Sequence, residues 1–301
     1  MKYFLCVLTL IILMTLPTFS QTTAAPETFR IFDGQGDPAS LEKIIDSLAQ
    51  ADVVFLGEQH DDTVAHKLQL EIFKRAIEKY GAERKLALSM EMFERDVQVE
   101  VDEYLKDLIS EQHFLSSSRP WGNYKIDYKP LVELAKEKKL PVIAANAPRR
   151  YVNMVSRGGR DALNALSPEA KKWLAPLPYA PATEGYRKKF EALMGGSGDA
   201  NSHGMSKIMD SQSLWDATMA DSIAGFLKEN KHPLVVQLNG GFHSENRWGI
   251  PDHLLKYRPK TRFVVVTIKY EQDFQTFDKS KHTGLGDFVI LTDAKQPRSG
   301  K

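Results

Sequence analysis

Four short apolar runs in this sequence are each followed by a group of polar and charged residues. Carboxylates, imidazoles and guanidinium groups together are the mixture that acid–base chemistry or metal binding requires. The ligand sites of open parallel sheets lie at the carboxyl ends of the strands, so these groups are predicted to form the functional site. The four groups are Gly57-Glu58-Gln59-His60-Asp61-Asp62, Glu91-Met92-Phe93-Glu94-Arg95, Asn146-Ala147-Pro148-Arg149-Arg150 and Asn239-Gly240-Gly241-Phe242-His243-Ser244-Glu245.

The strongest candidates for catalysis are Glu58, His60, Glu91 and His243, and Glu58, His60 and His243 are also candidate metal ligands. Gly57 would let the backbone approach a ligand closely beside the first two, although a helix-capping carboxylate and a solvent-facing imidazole are the alternative. Glu91 follows an apolar run, and a half-buried carboxylate needs a cationic or metal partner.

The glycine pair before His243 allows positive φ and close approach of a ligand, or simply a tight strand-to-helix turn. Asn239, just before this pair, is a candidate binding residue. His66 lies six residues after His60, so the two can converge only if His60 is still in the turn before the helix. As a lone helical residue, His66 would more ordinarily belong to a surface or to the core.

Two further positions are candidate ligand contacts. Arg149 and Arg150 stand where a helix is predicted to begin after Pro148, a place suited to a carboxylate or propionate, although adjacent arginines often form a solvated face. Gln212 falls within an apolar stripe of a long helix, where a buried amide needs a hydrogen bond. With Asp216 it would support the site from behind, or it would take part only in core packing.

Alternating strand-like and helical segments must position these groups. The pattern predicts an α/β fold with a mostly parallel sheet and helices on both faces. The segment 151–202, broken by proline and glycine, is predicted to be a helical insertion or lid within a single domain over 29–301. The predicted strands are 52–56, 85–90, 141–145, 233–238 and 262–268, and the predicted helices are 41–50, 63–80 closed by Gly81, 96–109, 129–138 and 205–229.

The N-terminus is expected to be a secretory signal peptide over 1–20, followed by a linker over 21–28. A single charge, Lys2, precedes an apolar run that is too short to span a bilayer, and small polar residues follow it. An uncleaved membrane anchor is the alternative. Cleavage would remove Cys6, the sole cysteine, and would leave a thiol-free exported protein.

Composition excludes several other functions. The formal net charge is +1 with 26% charged residues, which argues against a nucleic-acid partner and against a disordered chain. One cysteine forms neither an intramolecular disulfide nor a cysteine-based zinc site. Without a Cys-x-x-Cys-His motif, any haem is held non-covalently through His, Tyr or Met, and the arginines can meet its propionates.

An ordered series of motifs resembles the ChaN-like haem-binding uptake family of the Tiki superfamily, from about residue 29 to residue 268. The matching segments are Val53-Val54-Phe55-Leu56-Gly57-Glu58-Gln59-His60-Asp61-Asp62 with His66, Ser89-Met90-Glu91-Met92-Phe93, Asn146-Ala147-Pro148-Arg149, the helix from Gln212 to Ala220, and Asn239-Gly240-Gly241-Phe242-His243.

The resemblance implies an exported, periplasmic or envelope protein of iron-regulated haem uptake that binds haem non-covalently and forms a homodimer around it. It also implies envelope uptake partners. Many family members in haem uptake are lipoproteins, and Cys6 is misplaced for that. The resemblance does not assign the iron ligand; the tyrosines that cluster in mid-chain are candidates, namely Tyr124, Tyr128, Tyr151, Tyr179 and Tyr186.

The wider superfamily implies a second function. Its Tiki metalloproteases and erythromycin-esterase-like enzymes use a Gly-x-x-His element that matches Gly57 to His60. In a metal-dependent hydrolase, the four strongest candidates would hold a divalent ion and activate water. Haem binding predicts an apolar slot between the sheet edge and the tyrosine-rich lid, whereas the hydrolase predicts a cluster of metal ligands.

Overall fold

The computed structural model describes residues 27–194 and 203–300. The expected signal peptide 1–20, Cys6 and most of the linker 21–28 lie outside the described residues. Within the described ranges, no helix is both long and apolar enough to cross a membrane.

The chain alternates between strands and helices, as predicted. The strands are β1 (Phe29–Asp33), β2 (Val53–Glu58), β3 (Lys85–Glu94), β4 (Val142–Asn146), β5 (Pro233–Gly240), β6 (Phe263–Glu271) and β7 (Phe288–Asp293). The helices are α1 (Leu41–Ser47), α2 (Thr63–Tyr80), α3 (Gln98–Leu105), α4 (Glu111–Ser117), α5 (Tyr124–Asp127), α6 (Lys129–Glu137), α7 (Arg149–Gly158), α8 (Pro168–Lys171), α9 (Glu184–Leu193), α10 (His203–Glu229), α11 (Ile250–Tyr257) and α12 (Lys279–His282).

All seven strands form one sheet in the order β1-β7-β6-β2-β5-β3-β4. Every neighbouring pair is parallel except β1 and β7, which are antiparallel. The predicted α/β fold with a mostly parallel sheet is confirmed. The strand order could not be read from the sequence, and it makes β2, β5, β3 and β4 consecutive neighbours, so the four polar groups lie along one edge.

Alternating side chains of the central strands pack into two separate hydrophobic cores, because successive residues of a strand point to opposite faces of the sheet. Val54 and Leu56 pack with α1, α2 and α6 on one face. Val53 and Phe55 pack with α10 and α11 on the other. Both faces are therefore covered, which explains why the strands read as continuous apolar runs.

The helices α7, α8 and α9 occupy the described part of the segment predicted to be an insertion. Val152 and Val155 of α7 pack against Leu214 and Ala217 of α10. Farther along, Tyr186 and Phe190 of α9 pack against Met209 of α10. The segment thus sits on the N-terminal half of the long helix, beside the edge of the sheet that carries the polar groups.

Several element boundaries differ from the prediction. The helix predicted over 96–109 runs only over Gln98–Leu105, because Asp107 follows it with a left-handed φ of 57°. Gly81 closes α2 as predicted. Strands β1 and β7 and helices α4, α5, α11 and α12 were not predicted. Both strands lie at or next to the outer edge of the sheet, where apolar runs are short and mixed with polar residues.

Candidate functional site

A cleft of about 950 Å³ opens at the carboxyl ends of β2, β5, β3 and β4 and is roofed by α7, α9 and α10. Its volume lies near the upper end of the range for small-molecule and cofactor sites. Six of the predicted site residues line it directly, namely Glu58, His60, Glu91, Arg149, Gln212 and His243. The sheet topology therefore brings together residues that are up to 185 positions apart in the sequence.

The Glu58 carboxylate is the most heavily contacted polar group at the floor of the cleft. Its Oε1 accepts hydrogen bonds from the Nδ1 of His60 at 2.9 Å and from the hydroxyl of Tyr128 at 2.5 Å. Its Oε2 accepts one from the Nε2 of Gln69 at 2.7 Å. The carboxylate is fully buried, and these donors replace the water that it has lost. The N-cap of α2 is Asp62, so Glu58 is not a helix cap.

His66 extends this network into the interior and does not line the cleft. Its Nε2 lies 3.3 Å from Glu58 Oε2, and its Nδ1 lies 3.0 Å from Asp127 Oδ1. These are ion-pair distances without the alignment of hydrogen bonds. The helix α2 starts at Thr63, so His60 remains in the preceding turn. Because His60 precedes the helix, its imidazole and that of His66 can both reach Glu58, as the sequence analysis required.

Burial and pairing act in opposite directions on these groups. Burial alone would raise the pKa of Glu58, but the hydrogen bond from His60 and the positive charges of His60 and His66 outweigh it and lower that pKa to about 2. Burial lowers the pKa of each imidazole, yet the Glu58 carboxylate raises both pKa values above their usual range. The floor therefore holds a carboxylate charge that its imidazole partners stabilise.

A second carboxylate–imidazole pair lies beside the first. The Nδ1 of His243 donates to Asp216 Oδ1 at 2.7 Å, and the Tyr186 hydroxyl donates to Asp216 Oδ2 at 2.6 Å. The Nε2 of His243 lies 3.8 Å from Glu91 Oε1. Burial would lower the pKa of His243, but the charges of Asp216 and Glu91 raise it to about 9. This imidazole is therefore charged at neutral pH.

The glycines of the site make room for neighbouring groups. A Cβ on Gly240 would come within 2.8 Å of His60 Nε2, and one on Gly57 would come within 2.9 Å of Ser244 Oγ. Gly240 has a φ of −58°, and Gly241 is not among the described glycines with positive φ. The pair does not use the positive φ that glycine allows. It forms a tight turn after β5, the alternative that the sequence offered, and lets His60 and Glu245 approach the backbone closely.

Among the described residues, two lysines and one arginine line the cleft. Lys189 Nζ lies 2.8 Å and Lys269 Nζ 3.4 Å from the buried carboxylate of Glu245, so the two lysines share one negative charge. Arg149 is mostly exposed and stacks over Trp121, with its guanidinium carbon 5.8 Å from the ring centroid. Arg150 does not line the cleft, because its guanidinium pairs with Asp96 and stacks over Tyr151.

The walls of the cleft are aromatic and aliphatic. They are formed by Trp121, Val152, Phe190, Leu193, Ile208, Trp215 and Phe242. An apolar slot beside the insertion was expected to be rich in tyrosine, but none of the described tyrosines lines it. The Tyr128 and Tyr186 hydroxyls instead anchor Glu58 and Asp216 from below, and Tyr124 and Tyr179 are buried elsewhere.

The remaining candidates take different places. Gln212 is half-buried and lines the cleft, whereas Asp216, one turn further along α10, makes the contact to His243. Asn239 is fully buried behind the floor, where its Nδ2 donates to Gly240 O and Ser244 Oγ, each at 2.9 Å. Asn239 therefore holds the turn after β5 and does not face the cleft.

The metal-site alternative finds no support in this geometry. Within the described ranges, no group of three or more His, Cys, Asp or Glu side chains is placed to hold one metal ion. The physical reason is that protein donors already occupy both oxygens of Glu58, and Glu91 Oε2 accepts the backbone N–H of Gly240 at 2.7 Å.

Sequence reasoning missed several residues of the site. Tyr128 and Asp127 belong to the short segment around α5, which carries no recognisable motif. Gln69 could have been found, because it lies three residues after His66 on the buried face of α2. Lys189 and Lys269 stand among many other lysines and give no signal of their own.

Comparisons with known proteins agree with the fold. A chain titled "Cofacial heme binding to ChaN of Campylobacter jejuni" superposes with a TM-score of 0.67 at 21% identity, covering 91% of this chain and 98% of that one. A succinoglycan biosynthesis protein superposes with a TM-score of 0.50 at 12% identity, covering 87% of this chain and 92% of that one. At these identities the likeness concerns the fold alone.

One curated relative is the chloroplastic protein RETICULATA-RELATED 5 of Arabidopsis thaliana. It is 24% identical over 298 residues, which cover 89% of this chain. The chain spans only 38% of the length of that protein.

The family described as "Haem-binding uptake, Tiki superfamily, ChaN" matches residues 44–254. This range includes β2 to β5, the segment 151–202 and both carboxylate–imidazole pairs of the cleft floor. The chain belongs to the ChaN-like haem-binding uptake family of the Tiki superfamily.

Proposed function

We propose that this protein binds haem non-covalently in the cleft at the carboxyl edge of the sheet. The observation that carries the proposal is the cleft itself, which combines large apolar walls with imidazoles on its floor and cations around it. Membership of a haem-binding family supports the same ligand, as does the cofacial haem binding of Campylobacter jejuni ChaN, which shares the fold.

The residues of the cleft fit the parts of a haem molecule. Trp121, Trp215 and Phe242 present ring surfaces against which a flat macrocycle can pack. Arg149 and Lys189 can each meet a carboxylate of the ligand. Arg149 is mostly exposed, and its ion pair with Glu94 is long at 3.6 Å. Lys189 shares its partner Glu245 with Lys269. When bound, haem would supply an iron centre whose properties depend on the polar groups beneath it.

In this proposal, haem is a ligand that the protein transports. We propose that the leader over 1–20 exports the chain to the periplasm or cell envelope, where the protein takes part in haem uptake or handling. The balanced charge of the chain favours a small ligand over nucleic acid as the main partner. A homodimer around haem and contacts with envelope uptake proteins are part of the same proposal and rest on the family.

A haemin titration followed by absorption tests the proposal. The purified protein should give a saturable Soret change at micromolar haemin, together with quenching of the tryptophans that line the cleft. Ile208→Glu places a charge in the apolar wall and should weaken binding at least about tenfold, or 1.4 kcal/mol. No saturable change with the unaltered protein would refute haem binding.

A matched control shows that the effect belongs to the cleft. Val99→Glu introduces the same charge at an exposed aliphatic residue of α3 that does not line the cleft. This variant should bind haemin as the unaltered protein does. Equal losses in both variants would place haemin on the surface and not in the cleft.

A further inference from the structure

A short segment after β7 lies against the loop that follows β2. A turn at 293–296 comes first, and the next three residues, Pro297-Arg298-Ser299, run beside the loop. We call these three residues the strap. Asp62 of the loop and Arg298 of the strap form an isolated antiparallel bridge. The family match ends at residue 254, so the strap lies outside the part of the chain that matches the family.

Two hydrogen bonds join the backbone of the strap to the loop. The N–H of Ser299 donates to Asp61 O at 3.0 Å. The hydroxyl of Thr63, the first residue of α2, donates to Pro297 O at 2.9 Å. The strap is therefore attached to the chain on both sides of Asp62.

Arg298 supplies a positive charge to the buried end of this loop. The carboxylate of Asp62 is fully buried and accepts hydrogen bonds from the N–H groups of Val64 and Ala65 and from the hydroxyl of Thr292. The Nη1 of Arg298 lies 3.5 Å from Asp62 Oδ1. In the described part of the chain, no other cation lies within ion-pair distance of this carboxylate. A buried carboxylate is stable only when such partners replace water.

The same guanidinium group also contacts the end of β6. Its central carbon lies 3.6 Å from the centroid of the Tyr270 ring, a distance at which a cation is attracted to an aromatic face. The N–H of Tyr270 donates to Gln59 Oε1 at 2.8 Å. Gln59 and His60 line the cleft, and so does Lys269, the neighbour of Tyr270. Arg298 therefore joins two segments that both contribute residues to the cleft.

We propose that Arg298 is a positioning residue of the cleft, because the strap holds the loop after β2, and with it Gln59 and His60, in the arrangement that receives the ligand. This inference rests on the proposed haem binding and deepens it. Asn123 Nδ2 also donates to His60 O at 3.0 Å, so loosening the strap should displace the loop without unfolding it. A strap that strengthens ligand binding must itself be held more firmly when the ligand is bound.

Nuclear magnetic resonance of the ¹⁵N-labelled protein without haemin tests the effect on the loop. The Nδ1–H of His60, which donates to Glu58, should give an imidazole signal that is assigned by its loss in His60→Ala. Arg298→Gln should shift or broaden this signal and leave the Nδ1–H signal of His243 unchanged. Lys295→Gln makes the same change of charge at an exposed residue of the preceding turn. This matched control should alter neither signal.

Haemin titrations of the same proteins test the effect on binding. Arg298→Gln should weaken haemin binding about threefold or more. Arg298→Lys should keep most of the affinity, because lysine retains a positive charge beside Asp62. Ser299→Pro removes the N–H that Asp61 O accepts and should change the His60 signal in the same way, so the test does not depend on the folding of Arg298→Gln. Hydrogen exchange at the Ser299 amide should slow when haemin is bound.

The outcomes separate the role of the strap from haem binding itself. An unchanged His60 signal in both Arg298→Gln and Ser299→Pro overturns the inference. Equal changes at His60 and His243 also overturn it, because they indicate a general loss of structure. A changed His60 signal with unaltered haemin affinity shows that the strap has no role in binding. Absence of saturable haemin binding by the unaltered protein refutes the proposed function, whereas the signals recorded without haemin still decide whether the strap holds the loop.

Discussion

His60 and His243 both lie against Gly240, and a buried carboxylate hydrogen-bonds the Nδ1 of each ring. They differ in what surrounds the other nitrogen. His60 Nε2 is free beside the cleft, whereas His243 Nε2 faces Glu91 at 3.8 Å. The same pairing thus leaves one imidazole open to a ligand and holds the other as a buried cation. The neighbours of Nε2, and not the carboxylate at Nδ1, distinguish their functions.

The largest expected effect is on the carboxylate–imidazole pair of Glu58 and His60. Glu58→Ala removes the acceptor of Tyr128, Gln69 and His60 and leaves those buried donors unpaired. Removing one partner of a buried ionic network costs about 3 to 5 kcal/mol of stability. Urea unfolding measures this loss.

The control for this substitution is Glu71→Ala on the exposed side of α2. Glu71 pairs with Arg75 at the surface, so its removal should cost no more than about 1 kcal/mol. If both variants lost similar amounts, the network around Glu58 would not hold the floor together.

The second effect concerns the pH dependence of stability at the carboxylate–imidazole pair of Asp216 and His243. The pKa of His243 rises from 6.5 to about 9 on folding. Its contribution to stability is therefore complete below pH 6.5 and is lost as pH rises through 9. The loss amounts to about 3 kcal/mol.

His243→Gln isolates this contribution, because other groups that titrate in the same range are unchanged. Its urea midpoint should fall less than that of the unaltered protein between pH 6 and pH 10. Parallel curves for the two proteins would show that His243 is not held as a cation.

Two glycine substitutions compare the two carboxylate–imidazole pairs, because an added Cβ crowds the neighbours of one pair or the other. Gly249 has a φ of +67°, and a Cβ there would lie 2.5 Å from His243 O and 3.0 Å from Asp216 Oδ1. Gly249→Ala should cost about 1 to 3 kcal/mol in thermal or urea unfolding.

Gly240→Ala should cost no more than about 0.5 to 1.5 kcal/mol, because alanine accepts the φ of −58° and only the hydrogen bond from His60 to Glu58 is weakened. Its effect should appear in haemin binding, through the displaced ring of His60. If Gly240→Ala lost more stability than Gly249→Ala, the turn after β5 would not have the backbone geometry described above.

The smallest expected effect concerns the cleft rim. Arg149→Met should weaken haemin binding about two- to fivefold, since an exposed charge contributes up to about 1 kcal/mol. The adjacent Arg150→Met is the control and should leave affinity unchanged, because Arg150 pairs with Asp96 away from the cleft.

A ligand without free carboxylates tests whether Arg149 acts through its charge. Haemin dimethyl ester has no free propionate carboxylates, so the difference between the two arginine variants should disappear with it. A difference that persists with the ester would show that Arg149 acts through its packing on Trp121.

The sequence predicted the elements of the site better than their arrangement. The helix α2 and the central strands follow from apolar periodicity, and α2 begins and ends where the pattern predicts. The order of the strands depends on long-range packing that no local pattern records. Placing β5 between β2 and β3 brings His243 beside His60, and the sequence gives no sign of it.

The supporting residues were harder to predict than the residues facing the cleft. Glu58 and His60 follow a buried strand directly, which is a visible signal. Tyr128, Asp127 and Tyr186 act through buried hydroxyl and carboxyl groups that reach the site from two distant segments, around α5 and in α9. Their positions are set by the fold of the whole domain, so residue type and local spacing carry little information about them.

A crystal structure of the haemin complex tests the central claim most directly. We expect the porphyrin between the aromatic walls of the cleft, above the two carboxylate–imidazole pairs of its floor. A porphyrin bound outside this cleft would contradict the proposed function.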